Sequence, residues 1–315
     1  MLKFLTHRVL LMIPTLIGVS IIVFLMLQIV PGDPVDSIVP VDASKEVRAQ
    51  ITEQLGLNHP LYIQYVDWLM RSLHGDFGQS IVRQLSVNAL LFPALLNTLI
   101  LALGAGIFAF VISLVIGVYS AYKPKSWLAS IGNLIGLTGI SIPNFWAALI
   151  LIGIFSVLFG WLPPIGMKSS VNGGSFADVF YHIIMPAVAA GMTTLGVMTR
   201  MVRSAVFDLL HQDFVQTLQA KGLKPFRILL HVLKNATPNL LTVAGLQLGY
   251  LIGGSVLVET VFAWPGIGQL IYQSVSQRDY PIIQAGVLIV SVIFILLNLI
   301  VDLLHSIIDP RVRGS

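Results

Sequence analysis

Apolar residues run along this chain in long blocks separated by shorter polar connections, and block length is the first constraint on the fold. Six blocks approach or exceed the roughly 20 residues that a helix needs to cross a hydrocarbon core: residues 9–30, 97–119, 128–159, 183–201, 240–258 and 282–304. Backbone amides in hydrocarbon find no water, so each block predicts a helix whose hydrogen bonds close within the segment. The first block follows basic Lys3 and Arg8, as a secretory signal would. It is too long for one, and Pro31-Gly32-Asp33-Pro34 behind it offers no small-residue cleavage site, so it predicts a retained span.

The connection 31–96 carries helix signals of its own. Ser44 stands as a possible cap, Val47, Ile51 and Leu55 share one face, and Gly56 would stop the helix. A second helix starts at Pro60, with Leu61, Tyr65, Trp68 and Leu69 on one side and Gly75 at its end. Capping the spans, lying in the membrane interface and docking a partner all fit such a segment. Within the third block, Pro143 removes a backbone hydrogen bond and predicts a kink, with Thr138, Ser141 and Asn144 around it. A pathway role and plain helix packing both accommodate that polar break. Gly245, Gly249 and Gly253, four apart, form a smooth groove along the fifth block. Gly132 and Gly136 repeat the spacing in the third, and Ala187, Ala190, Gly191, Thr193, Thr194 and Gly196 make the fourth a protein-facing helix. Asp302 and His305 at the end of the last block suit the headgroup region better than a proton relay.

Composition agrees: 56% of residues are hydrophobic and 10% charged, against roughly a quarter charged in soluble domains, so the apolar surface must face lipid. The basic residues behind the net charge of +4 sit in short groups between the apolar runs. With the N-terminus inside, Lys3, Arg8, Lys123, Lys125, Arg200, Arg203, the 221–234 group, Arg311 and Arg313 all fall on the cytoplasmic side. Asp33, Asp36, Asp178, Glu259 and Asp279 fall outside, so both termini are expected to be cytoplasmic. Cysteine is absent, which excludes disulfides and thiolate metal sites.

The connection 202–236 predicts a helix, a turn and a second helix outside the membrane. Asp213 and Gln216 have capping spacing, Phe214 and Leu218 share a face, Gly222 supplies a left-handed stop, and Pro225 opens the next helix. Apolar Phe214, Val215 and Leu218 would be costly to leave in water. A groove on a soluble partner and the inner membrane surface are equally good places for them.

The run Asp213-Phe214-Val215-Gln216-Thr217-Leu218-Gln219-Ala220-Lys221-Gly222-Leu223 resembles the EAA loop of permease subunits of ATP-binding-cassette importers. Pro31-Gly32-Asp33-Pro34, Leu55-Gly56-Leu57, Pro60-Leu61-Tyr62, Gly75-Asp76-Phe77-Gly78, Ser141-Ile142-Pro143 and Gly160-Trp161-Leu162-Pro163 narrow the likeness to dipeptide and oligopeptide permeases. So do Val261-Phe262-Ala263-Trp264-Pro265-Gly266, Arg278-Asp279-Tyr280-Pro281 and the ending Asp309-Pro310-Arg311-Val312-Arg313. The likeness covers essentially the whole chain. It implies an all-α polytopic protein with six transmembrane helices and the type I importer permease fold, divided into a first span (1–30), an external region (31–96) and a permease core (97–315). Residues Asp213, Phe214, Thr217, Leu218, Ala220, Lys221 and Gly222 would dock on the ATPase, and Ser141, Pro143, Asn144, Gly245, Gly249 and Gly253 would line or gate a pathway. One departure is Phe214, and Leu218-Gln219-Ala220, where the family carries Tyr and Ala-Arg-Ala, which implies a more apolar docking surface with one positive charge fewer.

The resemblance further implies a bacterial inner-membrane subunit paired with a second permease, two ATPase subunits and an extracytoplasmic solute-binding protein, importing di- or oligopeptides, glutathione, nickel chelates or opine-like compounds. No phosphate loop, no His-Glu-x-x-His helix and no Gly-x-Ser-x-Gly elbow occurs, so ATP and magnesium belong on partner subunits and an intramembrane enzyme is disfavoured. The rival reading is an ion-coupled secondary transporter, which would show internal repeats and intramembrane charges. No repeat is found, and Asp302 alone sits within a span.

Overall fold

A computed structural model describes residues 2–29, 44, 46, 50, 52–53, 58–169 and 174–308. The motif Pro31–Pro34, the positions Val47, Ile51 and Leu55–Leu57, and the ending Asp309–Arg313 lie outside the described residues. Glu46, Gln50, Thr52 and Glu53 are helical, as the Ser44 cap predicts. The Glu46 carboxyl is held below the ordinary carboxylate range by its own backbone amide and by the Ser44 hydroxyl.

The described helices are α1 (Leu2–Ile29), α2 (Leu61–Leu73), α3 (Val87–Tyr122), α4 (Trp127–Ser141) and α5 (Asn144–Leu151), which continues into a π-helical segment Ile152–Leu158. They are followed by α6 (Phe176–Leu210), α7 (Asp213–Ala220), α8 (Pro225–Gly253), α9 (Val256–Val261), α10 (Ile267–Gln277) and α11 (Tyr280–Ile308). Among the described residues β pairing is limited to an isolated bridge between Gln79 and Ser86.

Among the described residues, four stretches are long and apolar enough to cross a membrane: Val87–Tyr122, Phe176–Leu210, Pro225–Val261 and Tyr280–Ile307. The third predicted block differs from a single kinked helix: α4 and the helix after it meet at 109°, and only as a pair do they make a fifth span. Ile142 (ψ 122°) and Pro143 (ψ 136°) are both extended, because a proline disfavours helical geometry in the residue before it and removes its own donor. The chain therefore breaks here rather than bending. Helix α1 runs for 28 residues, and its described apolar stretch is Leu10–Met26.

Helix boundaries also move outward from the apolar blocks. Helix α3 starts at Val87 and carries Pro93 inside it, since Val87, Leu91 and Ala94 are buried against Ile267, Leu270, Ile282 and Ala285. Helix α6 starts at Phe176, where the Ser175 hydroxyl accepts from the Asp178 amide at 3.3 Å. Tertiary burial and capping extend both helices past the point where hydropathy fades.

The chain forms two compact units. One comprises Met1–Leu5, Leu99–Trp264 and Leu296–Ser315, the other Thr6–Thr98 and Pro265–Ile295. In the first, small residues set the packing, because lipid offers little hydrophobic drive and contact must come from close approach. A Cβ at Gly139 would lie 2.6 Å from the Met192 carbonyl oxygen, and one at Gly196 would lie 2.8 Å from that of Gly136, so α4 and α6 meet backbone to backbone. Gly132 instead faces Ile116 and Ser120 of α3. Gly245 faces Val301 of α11 at 2.5 Å and Gly249 is buried, but Gly253 has nothing within 4 Å, so the expected groove along α8 is not packed at its end.

In the second unit, the turn after α2 is tied to the end of α10. Asp76 Oδ1 accepts from the Gly78 amide at 2.9 Å, and the Asn88 amide donates to the Gly75 carbonyl at 2.6 Å. Asp279, fully buried, accepts from the Ser80 hydroxyl and from the Ile81 amide at 3.1 Å. Two short motifs far apart in sequence thus form one structural knot.

Candidate functional site

Helices α6, α7 and α8 are joined by the segment 211–224. Gln212, extended and without a side-chain cap bond, precedes α7, and Asp213 is its first helical residue. Asp213 is therefore not the cap that its spacing to Gln216 predicts. It places a carboxylate in the first turn, where the helix dipole favours one. Thr217 bonds back to the Asp213 carbonyl at 3.1 Å. At the other end Gly222 takes φ +74°, the Leu223 amide donates to Leu218 (3.2 Å) and the Gly222 amide to Gln219 (2.8 Å). That pair of bonds is a Schellman turn, the left-handed stop expected at this glycine. Pro225 occupies the first turn of α8 behind Lys224.

The apolar side of α7 is not turned outward. Val215 is buried with Met198, Val202 and Val206 of α6 and Ile228 and Val232 of α8, and Phe214, Leu218 and Leu223 pack around the same cluster. Of the three side chains for which a partner groove and the inner membrane surface are equally good places, Val215 is taken up within the chain, while Phe214 and Leu218 are half-buried against the same cluster. What α7 exposes is Asp213, Gln216, Thr217, Gln219 and Ala220, followed by Lys221, Gly222 and Lys224, with Phe226 as an exposed aromatic at the start of α8. The departure at Phe214 and Leu218 therefore alters the support under the helix more than its outer face.

At the broken span, Ser141 and Pro143 are exposed, and the Ser141 hydroxyl is spent on the Leu137 carbonyl at 2.9 Å. Asn144 reaches α6, accepting from the Thr193 hydroxyl at 2.8 Å and donating to the Ala190 carbonyl at 3.5 Å. One turn of chain further, the buried Thr194 hydroxyl donates to Gln247 of α8 at 3.1 Å. The structure thus brings Asn144 into a polar seam on α6, while Gly245 and Gly249 belong to helix packing and Gly253 to neither.

Sequence patterning passed over two polar anchors. Asp178, buried near the start of α6, accepts from the Ser169 amide at 2.7 Å and lies 3.4 Å from His182, whose ring nitrogen donates to the Asp178 carbonyl at 2.8 Å. Ser175-x-x-Asp178 was the available signal. Glu259, fully buried in α9, accepts from the Ser255 hydroxyl at 2.9 Å. Its i,i−4 serine was the only hint. Among the described residues no group of His, Cys, Asp or Glu is arranged to hold a metal ion.

Comparison with known proteins matches residues 113–314 to the family described as binding-protein-dependent transport system inner membrane component, and residues 1–87 to the N-terminal model of the same kind of component. A dipeptide transport system permease protein of Alkalihalophilus pseudofirmus is 39% identical, over 99% of this chain and 100% of the relative. A glutathione transport system permease protein of Salmonella choleraesuis is 40% identical, over 99% of each. A chain of the MetNI methionine ABC transporter, solved in an inward-facing conformation, superposes with a TM-score of 0.53 at 23% identity, over 70% of this chain and 96% of that one, a likeness of fold.

Proposed function

This chain belongs to the family of binding-protein-dependent transport system inner membrane components, and from that premise we propose how it works as the permease subunit of an ATP-binding-cassette importer. Its cargo is a dipeptide, a slightly longer peptide or a peptide-like solute such as glutathione. The relatives divide between those substrates at nearly equal identity, and the selection is assigned to the separate binding protein. The chain pairs with a second, similar permease, and the solute passes between the two. ATP and magnesium are held, and ATP is hydrolysed, on two partner ATPase subunits, each gripping one permease at α7. Both termini and α7 lie in the cytoplasm, and the binding protein delivers from the opposite side.

One observation carries this reading: α7 is a short helix stopped by a Schellman turn, with its apolar side seated on α6 and α8 and its polar side free. A lever needs both a firm seat and an open outer face. When partner ATPases close on ATP, force applied at Asp213, Thr217, Ala220 and Lys221 enters α6 and α8 through Val215, Leu218 and Leu223, and rigid-body rocking of the spans exposes the path alternately to each side.

The test is uptake by vesicles holding this chain with its partner permease and ATPases. Expected is accumulation of labelled dipeptide or glutathione that requires both ATP and the binding protein. Uptake driven by an imposed proton gradient in ATP-free vesicles would instead establish an ion-coupled carrier and overturn the proposal.

A further inference from the structure

Helix α2 has three different sides. At about 100° per residue, Tyr65, Trp68 and Ser72 fall together, Gln64, Asp67 and Arg71 form a second sector, and Tyr62, Val66, Leu69, Met70 and Leu73 a third. The first sector is accounted for by α1: Tyr65 meets the Ser20 hydroxyl at 2.8 Å, and its ring and that of Trp68 lie 5.5 and 6.0 Å from the ring of Phe24. The second is polar and open, with Asp67 and Arg71 exposed. The third is apolar and equally open: Tyr62 is 69% exposed, Val66 51%, Met70 52% and Leu73 73%.

What covers that third face follows from where α1 holds the helix. Helix α1 ends at Ile29, and its apolar block runs to that end. Phe24 lies five residues before it, which at 1.5 Å per residue places the ring contact about 8 Å inside the apolar block, and Tyr65 reaches from there to Ser20 one turn deeper. Amphipathic helices of the membrane interface bury their apolar face to a depth of about 5–10 Å, so the level of Phe24 falls within that range. Around this anchor α1 is itself apolar and exposed at Ile17, Ile21, Ile22 and Leu25, so the open face of α2 continues a surface that already belongs to lipid. The polar sector lies well round the helix from the apolar one, where water is.

We infer that α2 is an interfacial helix, lying in the lipid–water boundary at the C-terminal end of α1 with Tyr62, Val66, Met70 and Leu73 among the acyl chains and Gln64, Asp67 and Arg71 in the aqueous layer. This rests on α1 crossing the membrane, as the proposed function requires. The helix thereby fixes the depth and tilt of α1 through the Ser20–Tyr65 bond and the Phe24 ring cluster. The occupant of the face is phospholipid, not protein.

Because the chain has no cysteine, single thiols report cleanly. Val66→Cys, Met70→Cys, Asp67→Cys and Arg71→Cys, with Ile22→Cys on α1 as the membrane control, are labelled with an environment-sensitive fluorophore in the assembled transporter in vesicles. Each is then quenched either by phospholipid brominated near the top of its acyl chains or by aqueous iodide. Expected is strong lipid quenching with lost iodide quenching at positions 66 and 70, the reverse at 67 and 71, and lipid quenching at position 22. Iodide quenching at 66 and 70 equal to that at 67 and 71 overturns the inference. So does protection of 66 and 70 from both quenchers, which would mark a protein partner on this face. Absence of lipid quenching at position 22 would fail the membrane reading of α1 itself, a separate outcome.

Discussion

A methyl group added at Gly139 would meet the Met192 carbonyl oxygen at 2.6 Å, and that oxygen is backbone and cannot rotate away. Gly139→Ala is therefore expected to force α4 off α6 and to lower the yield of folded transporter sharply, whereas Gly253→Ala, with nothing within 4 Å, leaves yield and thermal stability unchanged. Size-exclusion profiles of the detergent-extracted protein distinguish the two, and equal behaviour would contradict the packing. Asp279 supplies a second residue-scale prediction. Asp279→Ala leaves the buried Ser80 hydroxyl and the Ile81 amide without their acceptor, at a cost of about 1–3 kcal/mol, read as a lowered melting midpoint. Reading glycines by spacing identified Gly132, Gly136, Gly245 and Gly249 as interior positions. Spacing carries no information on which neighbour each meets, so it grouped exposed Gly253 with them and did not single out Gly139, the tightest contact between α4 and α6.

At the scale of elements, several short motifs prove to be helix ends. Gly75, Gly222, Ala263 and Arg278 all take positive φ, and each is followed by the two crossed amide bonds that close a helix C-terminus. The two glycines are legible as stops because glycine tolerates that conformation. Ala263 and Arg278 are not, since burial of Phe262 and Trp264 and the hold of Asp279 on Ser80 and Ile81 override local preference there. Helix α7 taught the converse lesson. Its position, length and stop were readable, but which way its apolar side turns depends on α6 and α8, which local pattern does not contain. Val215→Ala should therefore cost about 2 kcal/mol in stability of the chain. Thr217→Arg or Lys221→Glu should leave stability intact and abolish co-purification of the ATPase. If Thr217→Arg and Lys221→Glu both retained the ATPase at full stoichiometry, the outer face of α7 would not be its seat.

For the whole molecule, apolar block length disclosed a polytopic helical protein, and the distribution of Lys and Arg predicts an orientation with both termini in the cytoplasm. With thiols at Gln219→Cys and Lys168→Cys, impermeant maleimide added to intact cells should modify position 168 alone, and inverted membranes should reverse the pattern; the opposite result would invert the topology. What block length missed was the break at Ile142–Pro143. Hydropathy sums over residues 128–159 and is blind to direction, and one extended dipeptide turned a presumed crossing into two helices at 109°.

Main chain against main chain, as where Gly139 meets the Met192 carbonyl and Gly196 that of Gly136, leaves little room for rotatable groups on which one helix could slip past the other. Helices α4 and α6 must then travel as a single plank through the transport cycle. Whatever bending that cycle demands is pushed to the plank's end, where extended Ile142 and Pro143, the latter without a backbone donor, interrupt the helix and form the cheapest hinge.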